Sequence, residues 1–308
     1  EIPDIPGIAE TPYFTPKDIL TLTRPPKTLF IIGSTPAAIE VASLMSIFGT
    51  KVYLADSATR IMPDQDEDVS EMIASQLTKQ RGMTIMPNTK IVAVQKEGIY
   101  RRITFVRAGV ERTIKVDALM IADRRAPATD IGLENAGVAY NSQGIKVNAS
   151  LQTSAKHIVA AGSCTHPGAA THEILMHSRV AAHNLLHTKF SVVDKHMPLQ
   201  VIRSVPEIAR VGLSEDDCIR RDLKINRAVV PITIAPRSNI TDDRIGMVKL
   251  ISDKKGTLLG AAIVAPNASE MIHELAIAIR HGLSAEDLFS TPHDFTSWSE
   301  TLRIAHAK

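Results

Sequence analysis

The first regular pattern begins after a lead-in rich in proline and polar turns, residues 1–27, which ends in Arg24-Pro25-Pro26-Lys27. Thr28-Leu29-Phe30-Ile31-Ile32-Gly33 is a short apolar run closed by glycine, the pattern of a buried parallel strand. Ile39, Val41, Ala42, Leu44, Met45 and Phe48 then mark a helix from about Pro36, a residue tolerated in a first turn, to Gly49. Lys51-Val52-Tyr53-Leu54-Ala55-Asp56 predicts a second strand. Strand, turn, helix and a strand closing on an acid together make the outline of a nucleotide-binding βαβ unit.

Another amphipathic helix fits about Asp68 to Gln80, followed by a strand near Met83 to Met86. Three β-rich stretches, Lys90 to Gln95, Arg102 to Arg107 and Arg112 to Val116, stand too close together to hold helices between them and predict a meander. Val116 to Ala122 closes that part as an apolar strand. Residues 123–190 look like a connecting region with one strand, His157 to Gly162, and a helix from about Thr171 to Leu186. From residue 198 the texture is α+β. Strands are predicted at Ile208 to Gly212, Ala228 to Ile234, Gly246 to Ile251 and Leu258 to Val264, and a helix from about Ser269 to His281 is stopped by Gly282. This helix carries Met271, Ile272, Leu275, Ala276, Ala278 and Ile279, apolar over more of its circumference than a one-sided surface helix requires. It needs cover on a second side, from its own domain's sheet or from a twofold-related copy.

Composition narrows the classes. A chain of 308 residues, 44% apolar and 22% charged, holds two or three folded domains and buries a normal core. With 35 lysines and arginines against 33 acids, the net charge of +2 provides no single-signed field for nucleic acid or an anionic membrane. No apolar run approaches a membrane span, and Glu1-Ile2-Pro3-Asp4 does not open a signal peptide. Cys164 and Cys218 are isolated thiols, so a cytoplasmic setting is expected. The start without methionine suggests a fragment or a processed chain.

The turn Gly33-Ser34-Thr35-Pro36-Ala37-Ala38 meets two of the three demands of a dinucleotide fingerprint. Gly33 allows the tight turn and Ala38 the close packing of helix on strand, but Thr35 stands where a second glycine lets backbone approach the pyrophosphate. By itself the turn also suits a strand-to-helix connection that binds nothing. Asp56 is placed to accept hydrogen bonds from a ribose diol and to repel a 2'-phosphate, or is a solvated strand-end acid. His166, His172, His177, His183 and His187 crowd one segment, yet only His183 and His187 are spaced i, i+4, and no nearby Cys or Glu completes a tetrahedral set. No metal is expected there. Cys164 reads as an inert thiol after a strand rather than a reactive one.

These features, taken in order, resemble the class I pyridine nucleotide-disulfide oxidoreductases, with the dihydrolipoamide dehydrogenase and mercuric reductase branches nearest. The whole chain resembles the part of such a protein that follows the N-terminal half of its flavin domain. Ile5-Pro6-Gly7 looks like the crossover out of that domain, and Gly33 to Glu40 like the second nucleotide turn. Asp117 to Thr129 resembles the segment returning to the flavin domain, and Val159 to Ser163 the strand and turn that touch flavin. The stretches Val205 to Glu215, Gly246 to Leu250 and Leu259 to Leu288 resemble the dimer-interface domain.

The resemblance implies an α/β fold: a Rossmann-like NAD(P)-binding-type domain with its lead-in over 1–122, a remnant of the FAD domain over 123–194, and an α+β dimerisation domain over 195–308. It implies cofactor contacts from Gly33, Ser34, Thr35, Glu40, Asp56, Gly162 and Ser163, and a catalytic stretch holding His293 and Glu300. In the family, hydride passes from NAD(P)H to FAD, electrons pass to a redox-active cysteine pair, and a His-Glu pair of the partner subunit handles the proton. Here the cysteine pair and the first FAD turn are missing, and several positions depart. Thr35 replaces a glycine, Pro36 a large residue that shields flavin, Arg124 a glycine beside the nicotinamide nucleotide, and Ser163 an acid near the flavin ribityl-phosphate. Counting back from Glu300 puts Phe295 where the acid-base histidine belongs, and His293 matches an earlier, non-catalytic one. A phenyl ring has no transferable proton, so Glu300 also reads as a helix-capping or solvated acid.

The expected function is therefore the C-terminal portion of an FAD-dependent NAD(P)H:disulfide oxidoreductase, inactive alone and completed by an N-terminal FAD segment. The alternative is a degenerate, non-enzymatic dimerising or nucleotide-sensing relative. Weak NAD binding with NADH preferred, no FAD held by this chain, and a homodimer through 195–308 with Trp298 near the partner subunit are expected.

Overall fold

A computed structural model describes residues 2–122, 126–166, 168–193 and 198–305. The chain forms two compact units, one from Ile2–Asp123 with Met197–Lys308 and one from Arg124–His196. In the first of these, α1 (Pro16–Ile19) precedes β1 (Thr28–Ile32), α2 (Pro36–Ile47), β2 (Lys51–Ala55), α3 (Glu67–Arg81) and β3 (Thr84–Met86). A meander of β4 (Thr89–Glu97), β5 (Tyr100–Arg107) and β6 (Val110–Val116) follows before β7 (Ala118–Ile121). The strands β3-β2-β1-β7 form a parallel sheet in that order, while β4-β5-β6 pair antiparallel as a sheet of their own. The apolar run of β1 has the burial expected of a central parallel strand, with Leu29, Phe30 and Ile31 wholly inside. Helix α3 ends where Gly82 takes the left-handed conformation.

The unit of residues 124–196 contains β8 (Tyr140–Asn141), β9 (Gly144–Ile145) and α4 (Thr171–Leu186). The strand expected from His157 to Gly162 does not form. Only one bridge, Gln152 to Val159, is made; the Thr153 amide bonds to Ile158 O and the Ala160 amide to Leu151 O, so the segment closes a tight loop rather than a ladder.

The remaining elements are β10 (Leu199–Ile202), β11 (Glu207–Gly212), α5 (Glu215–Arg220), β12 (Ile225–Pro231), α6 (Pro236–Thr241), β13 (Met247–Asp253), β14 (Leu258–Ala265), α7 (Ala268–Arg280), α8 (Ala285–Ser290) and α9 (Glu300–Ala305). Strands β10-β11-β14-β13-β12 form an antiparallel sheet in that order. One expectation is corrected here and one open alternative resolved. The strand expected through Ile234 stops at Pro231, because the Ile232 amide turns to Gly246 O and Ile232–Ile234 tightens into a 3-10 turn before Pro236 opens α6. Helix α7 finds its cover within the chain: Met271, Ile272, Leu275 and Ala278 are buried against the sheet, in a core that also takes Trp298, Leu302 and Ala305. Ile277, 61% exposed, is the large apolar side chain of this helix that faces away from that core, alongside the exposed Glu270, His273 and Arg280.

The N-terminal sheet and the C-terminal sheet share one core, in which Ile39, Val69 and Ile73 meet Ile202, Ile208, Met247 and Val264. Polar contacts cross the same junction. Glu40 Oε1 accepts from the Arg203 amide at 2.8 Å and Ser43 Oγ from the Val205 amide at 3.0 Å. At its centre Lys249 of β13, 1% exposed, places its ammonium 2.9 Å from Asp66, 2.7 Å from Asp68 and 2.5 Å from Glu215. Burial would lower the lysine's pKa, but the bonds to Asp68, Glu215 and Asp66 prevail and raise it. Burial likewise opposes ionisation of Glu215, and the bonds and charges of Lys249 and then Arg227 hold its carboxyl below the usual range.

The pH dependence follows from those signs. Glu215, lowered on folding, contributes stability above the unfolded carboxylate value that is lost as pH falls through its folded value; Lys249, raised on folding, contributes stability below the unfolded ammonium value that is lost as pH rises through its folded value. A plateau from roughly pH 5 to pH 10 is expected. Lys249→Met leaves three carboxylates together without their cation and is expected to cost about 3–5 kcal/mol near pH 7. Denaturant unfolding at several pH values checks it: the deficit should shrink towards pH 4 as Glu215 protonates, and a deficit independent of pH would show that lost packing dominates.

Candidate functional site

The N-terminal sheet places a crevice where its strand order changes, at the carboxyl ends of β1 and β7, the position at which α/β sheets take ligands. Gly33 turns the chain there with φ 98°, a conformation that a side chain resists, and donates to Ala55 O at 2.8 Å. Thr35 caps α2. Its hydroxyl donates to the Ala122 carbonyl at 2.8 Å, just beyond β7, and accepts weakly from the Ala38 amide at 3.4 Å. The side chain therefore ties the two edges of the crevice together. Pro36 has no N–H, so with the Ala38 amide turned to Thr35 two of the helix's first donors are withheld from any anion. The turn as built fits a pyrophosphate poorly.

Asp56 is not a freely solvated acid. The buried Ser34 hydroxyl donates to its Oδ2, the Ala58 amide donates to its Oδ1 at 2.9 Å, and Ser34 Oγ accepts from the Met62 amide at 2.9 Å. A carboxylate accepts about four hydrogen bonds, so Asp56 keeps room for a diol although its orientation is already fixed. Glu40 is engaged by the Arg203 backbone. Arg124 lies outside the described residues.

The second group is the C-terminal stretch. A cavity of about 410 Å³ is lined by Phe289, Thr291, His293, Phe295, Glu300 and Arg303 among others. His293 and Glu300 share its wall but are not paired with each other. His293 Nε2 lies 2.6 Å from Glu274 Oε1 and Nδ1 2.8 Å from Thr291 O, so both ring nitrogens are engaged. Glu300 is neither a solvated acid nor an imidazole partner: at 4% exposure it receives a fork from Arg303, Nε to Oε2 at 2.9 Å and Nη2 to Oε1 at 2.6 Å. That fork lowers the carboxyl's pKa against the opposing effect of burial. Arg303 also stacks over Phe289 at 5.6 Å. Phe295, at the expected acid-base position, is 67% exposed.

Within the unit of residues 124–196, Gly162 is buried with φ 87° and Ser163 exposed in a turn where the Thr165 and His166 amides bond to Gly162 O at 3.0 Å and 3.2 Å. Cys164 Sγ contacts Ala161 O at 3.2 Å. The His183 and His187 rings stack 4.2 Å apart, each with one nitrogen on a backbone carbonyl.

Sequence reasoning missed Ser34 as a partner of Asp56, Glu274 as a partner of His293, and Lys249 altogether. Lys249 carried a signal, a lone lysine inside Met247-Val248-Lys249-Leu250-Ile251. A lysine buried on a central strand needs carboxylates beside it.

The sequence profile of the pyridine nucleotide-disulphide oxidoreductases matches residues 1–184, and that of the same group's dimerisation domain matches residues 199–306. A mercuric reductase of Bacillus cereus is 29% identical over 98% of this chain and 48% of its own length. A dihydrolipoyl dehydrogenase of Buchnera aphidicola is 29% identical over 99% of this chain and 64% of its own. The solved Cu(II) complex of the HOCl-induced flavoprotein disulfide reductase RclA from Escherichia coli superposes with a TM-score of 0.91 at 29% identity, over 100% of this chain and 70% of that one. The chain spans about half the length of the curated mercuric reductases it matches, 48% and 56%. Domain order, fold and both profile matches agree: the chain belongs to the pyridine nucleotide-disulfide oxidoreductase family, a family of FAD-dependent oxidoreductases.

Proposed function

We propose that this chain is the C-terminal portion of an FAD-dependent NAD(P)H:disulfide oxidoreductase, comprising an NAD(P)-binding-type part (1–122), a remnant of the flavin domain (123–194) and a dimerisation part (195–308), and that it is inactive alone. The observation that carries this reading is the ordered match of two family profiles along the chain, over only about half of its curated relatives. The exposed apolar side chains of the flavin-domain remnant support it. Leu175, Leu185, Leu186, Phe190 and Val192 are 55%, 60%, 80%, 47% and 63% exposed, a surface that the other half of a flavin domain would cover. In such a protein FAD supplies hydride acceptance, and Gly162 and Ser163 are the residues of this chain assigned to its site. The proton-handling role belongs to the stretch of His293 and Glu300, where Phe295 offers no transferable proton.

A second reading, a non-enzymatic dimerising or nucleotide-sensing relative, is favoured by two specific features. These are the Thr35 bond across the nucleotide crevice and the Arg303 fork on Glu300.

An absorbance spectrum of the purified 308-residue chain is expected to show no flavin band, since Ser163 brings no carboxylate and half the site is lacking. A stoichiometric band that survives gel filtration refutes this.

Nucleotide binding is expected to be weak, with NADH ahead of NADPH because Asp56 repels a 2'-phosphate. Thr35→Gly removes the hydroxyl from Ala122 at a cost of only a few tenths of a kcal/mol in helix capping, and should raise NADH affinity about tenfold. Calorimetric titration with both nucleotides decides; preference for NADPH would overturn the role given to Asp56.

Light scattering at micromolar concentration should give about twice the 33.5 kDa chain mass, through the part that matches the dimerisation profile. A monodisperse monomer contradicts this.

A further inference from the structure

We propose that Lys249 is a positioning residue for the nucleotide turn, acting at a distance through the loop 57–66, which it holds in a strained conformation. The loop begins beside Asp56 and ends at Asp66, the residue before α3. Its far end is fixed to the C-terminal sheet. Asp66 bonds to Lys249 at 2.9 Å and accepts from the Glu215 amide at 3.0 Å, and Asp68 bonds to the same ammonium at 2.7 Å. Gln65 donates to Gln200 at 2.7 Å, Asp64 O accepts from Arg210 at 2.9 Å, and Arg60 lies 3.6 Å from Asp216. Its near end is fixed to the nucleotide turn, because the Met62 amide donates to Ser34 Oγ, which in turn donates to Asp56.

Between these anchors stands Met62, 4% exposed, with φ 49°. A methionine in the left-handed region is unfavourable and persists only where its surroundings over-determine it. No glycine or asparagine relieves the position. The strain is local to the residue whose amide orients Ser34; the Ser70 hydroxyl of α3 on Ile61 O at 2.6 Å and the Gln65 amide on Met62 O at 2.9 Å hold the loop from its own side, and the anchors at its far end lie on the C-terminal sheet and α5. Weakening the Lys249 anchor therefore gives Met62 a route back to negative φ, which withdraws its amide from Ser34 and releases the Ser34–Asp56 pair. On this proposal the loop has two arrangements, as coupling between separated places requires. The inference concerns the chain's own loop and goes beyond the proposed function, standing whether or not flavin or nucleotide binds.

Residue-resolved hydrogen exchange on the full 308-residue chain tests it. In Asp68→Asn, which removes one charge from Lys249, exchange at the Met62 and Ala58 amides should rise by about tenfold together with that at Glu215, while the amides of β5 stay unchanged. Acceleration at Glu215 alone overturns the proposal, because the anchor is then local. Equal acceleration everywhere, β5 included, overturns it as well, because the residue is then only a contributor to global stability. Should Asp68→Asn fail to fold, the unmodified chain in low denaturant supplies the readout. Ala58, Met62 and Glu215 opening with one shared denaturant dependence support the proposal, and separate dependences refute it. Lys249→Arg, which keeps the cation, should leave the Met62 rate near that of the unmodified chain; a tenfold rise in that variant at Met62 also counts against the charge as the anchor.

Discussion

One buried ammonium sets the terms for the larger unit. Lys249 lies in a strand whose neighbours Val248, Leu250 and Ile251 are wholly apolar and buried, where an unpaired charge is not tolerable. It is stable there because three carboxylates arrive from two directions, Asp66 and Asp68 at the start of α3 and Glu215 at the start of α5. Those three bring carboxylate oxygens within 4.8 Å of one another, a repulsion that the ammonium offsets. Cation and anions thus require one another, and the requirement fixes how α3 meets the C-terminal sheet more narrowly than apolar packing does. Hydrophobic contact tolerates small shifts of one surface over another; a lysine bonded at 2.5–2.9 Å to three acids does not. The benefit is in specificity of docking rather than in net stability, since buried ion pairs barely offset their desolvation.

The nucleotide turn reflects a related economy of hydrogen bonds. Three polar side chains at the turn already have partners: Thr35 on Ala122, Ser34 on Asp56, Glu40 on Arg203. A glycine at position 35 would leave both the crevice and the Ala38 amide open, so one side chain both caps the helix and bridges the crevice. The turn keeps its geometry through Gly33 while the Ser34 and Thr35 hydroxyls are turned to partners within the chain.

Long elements with a clear period were legible in the sequence, from β1 through β7 and then β11, β12, β13, β14 and α7, because their burial repeats with the backbone. The short helices α5, α8 and α9 were not. Their only sign is local, such as Ser214 and Ser284 each capped three residues on by Asp217 and Asp287, which a hydrophobic pattern does not register. The segment 157–162 failed for the opposite reason: Val159-Ala160-Ala161 has strand composition, but its hydrogen bonds close a loop onto Leu151 and Thr153. For the candidate site, Gly33, Thr35 and Asp56 were identifiable from motif spacing. Their partners were not, since Ala122 and Met62 reach them only through the fold.

At the C-terminal stretch the same logic limits what a single residue can restore. A general acid-base imidazole needs a carboxylate that receives its ring N–H and holds its tautomer. Glu300 is the carboxylate at hand, yet both its oxygens accept from Arg303, a guanidinium that stays charged at any pH the protein meets. Glu274 is the other, and it already takes His293. An imidazole at position 295 would therefore enter a cavity in which each nearby acid has a partner, and it would have to displace a bidentate fork to gain one. On the reading proposed above, three residues rather than one bear on proton transfer here: Phe295 carries no transferable proton, Arg303 engages the acid that would orient an imidazole, and Glu274 holds the remaining imidazole against the Thr291 backbone.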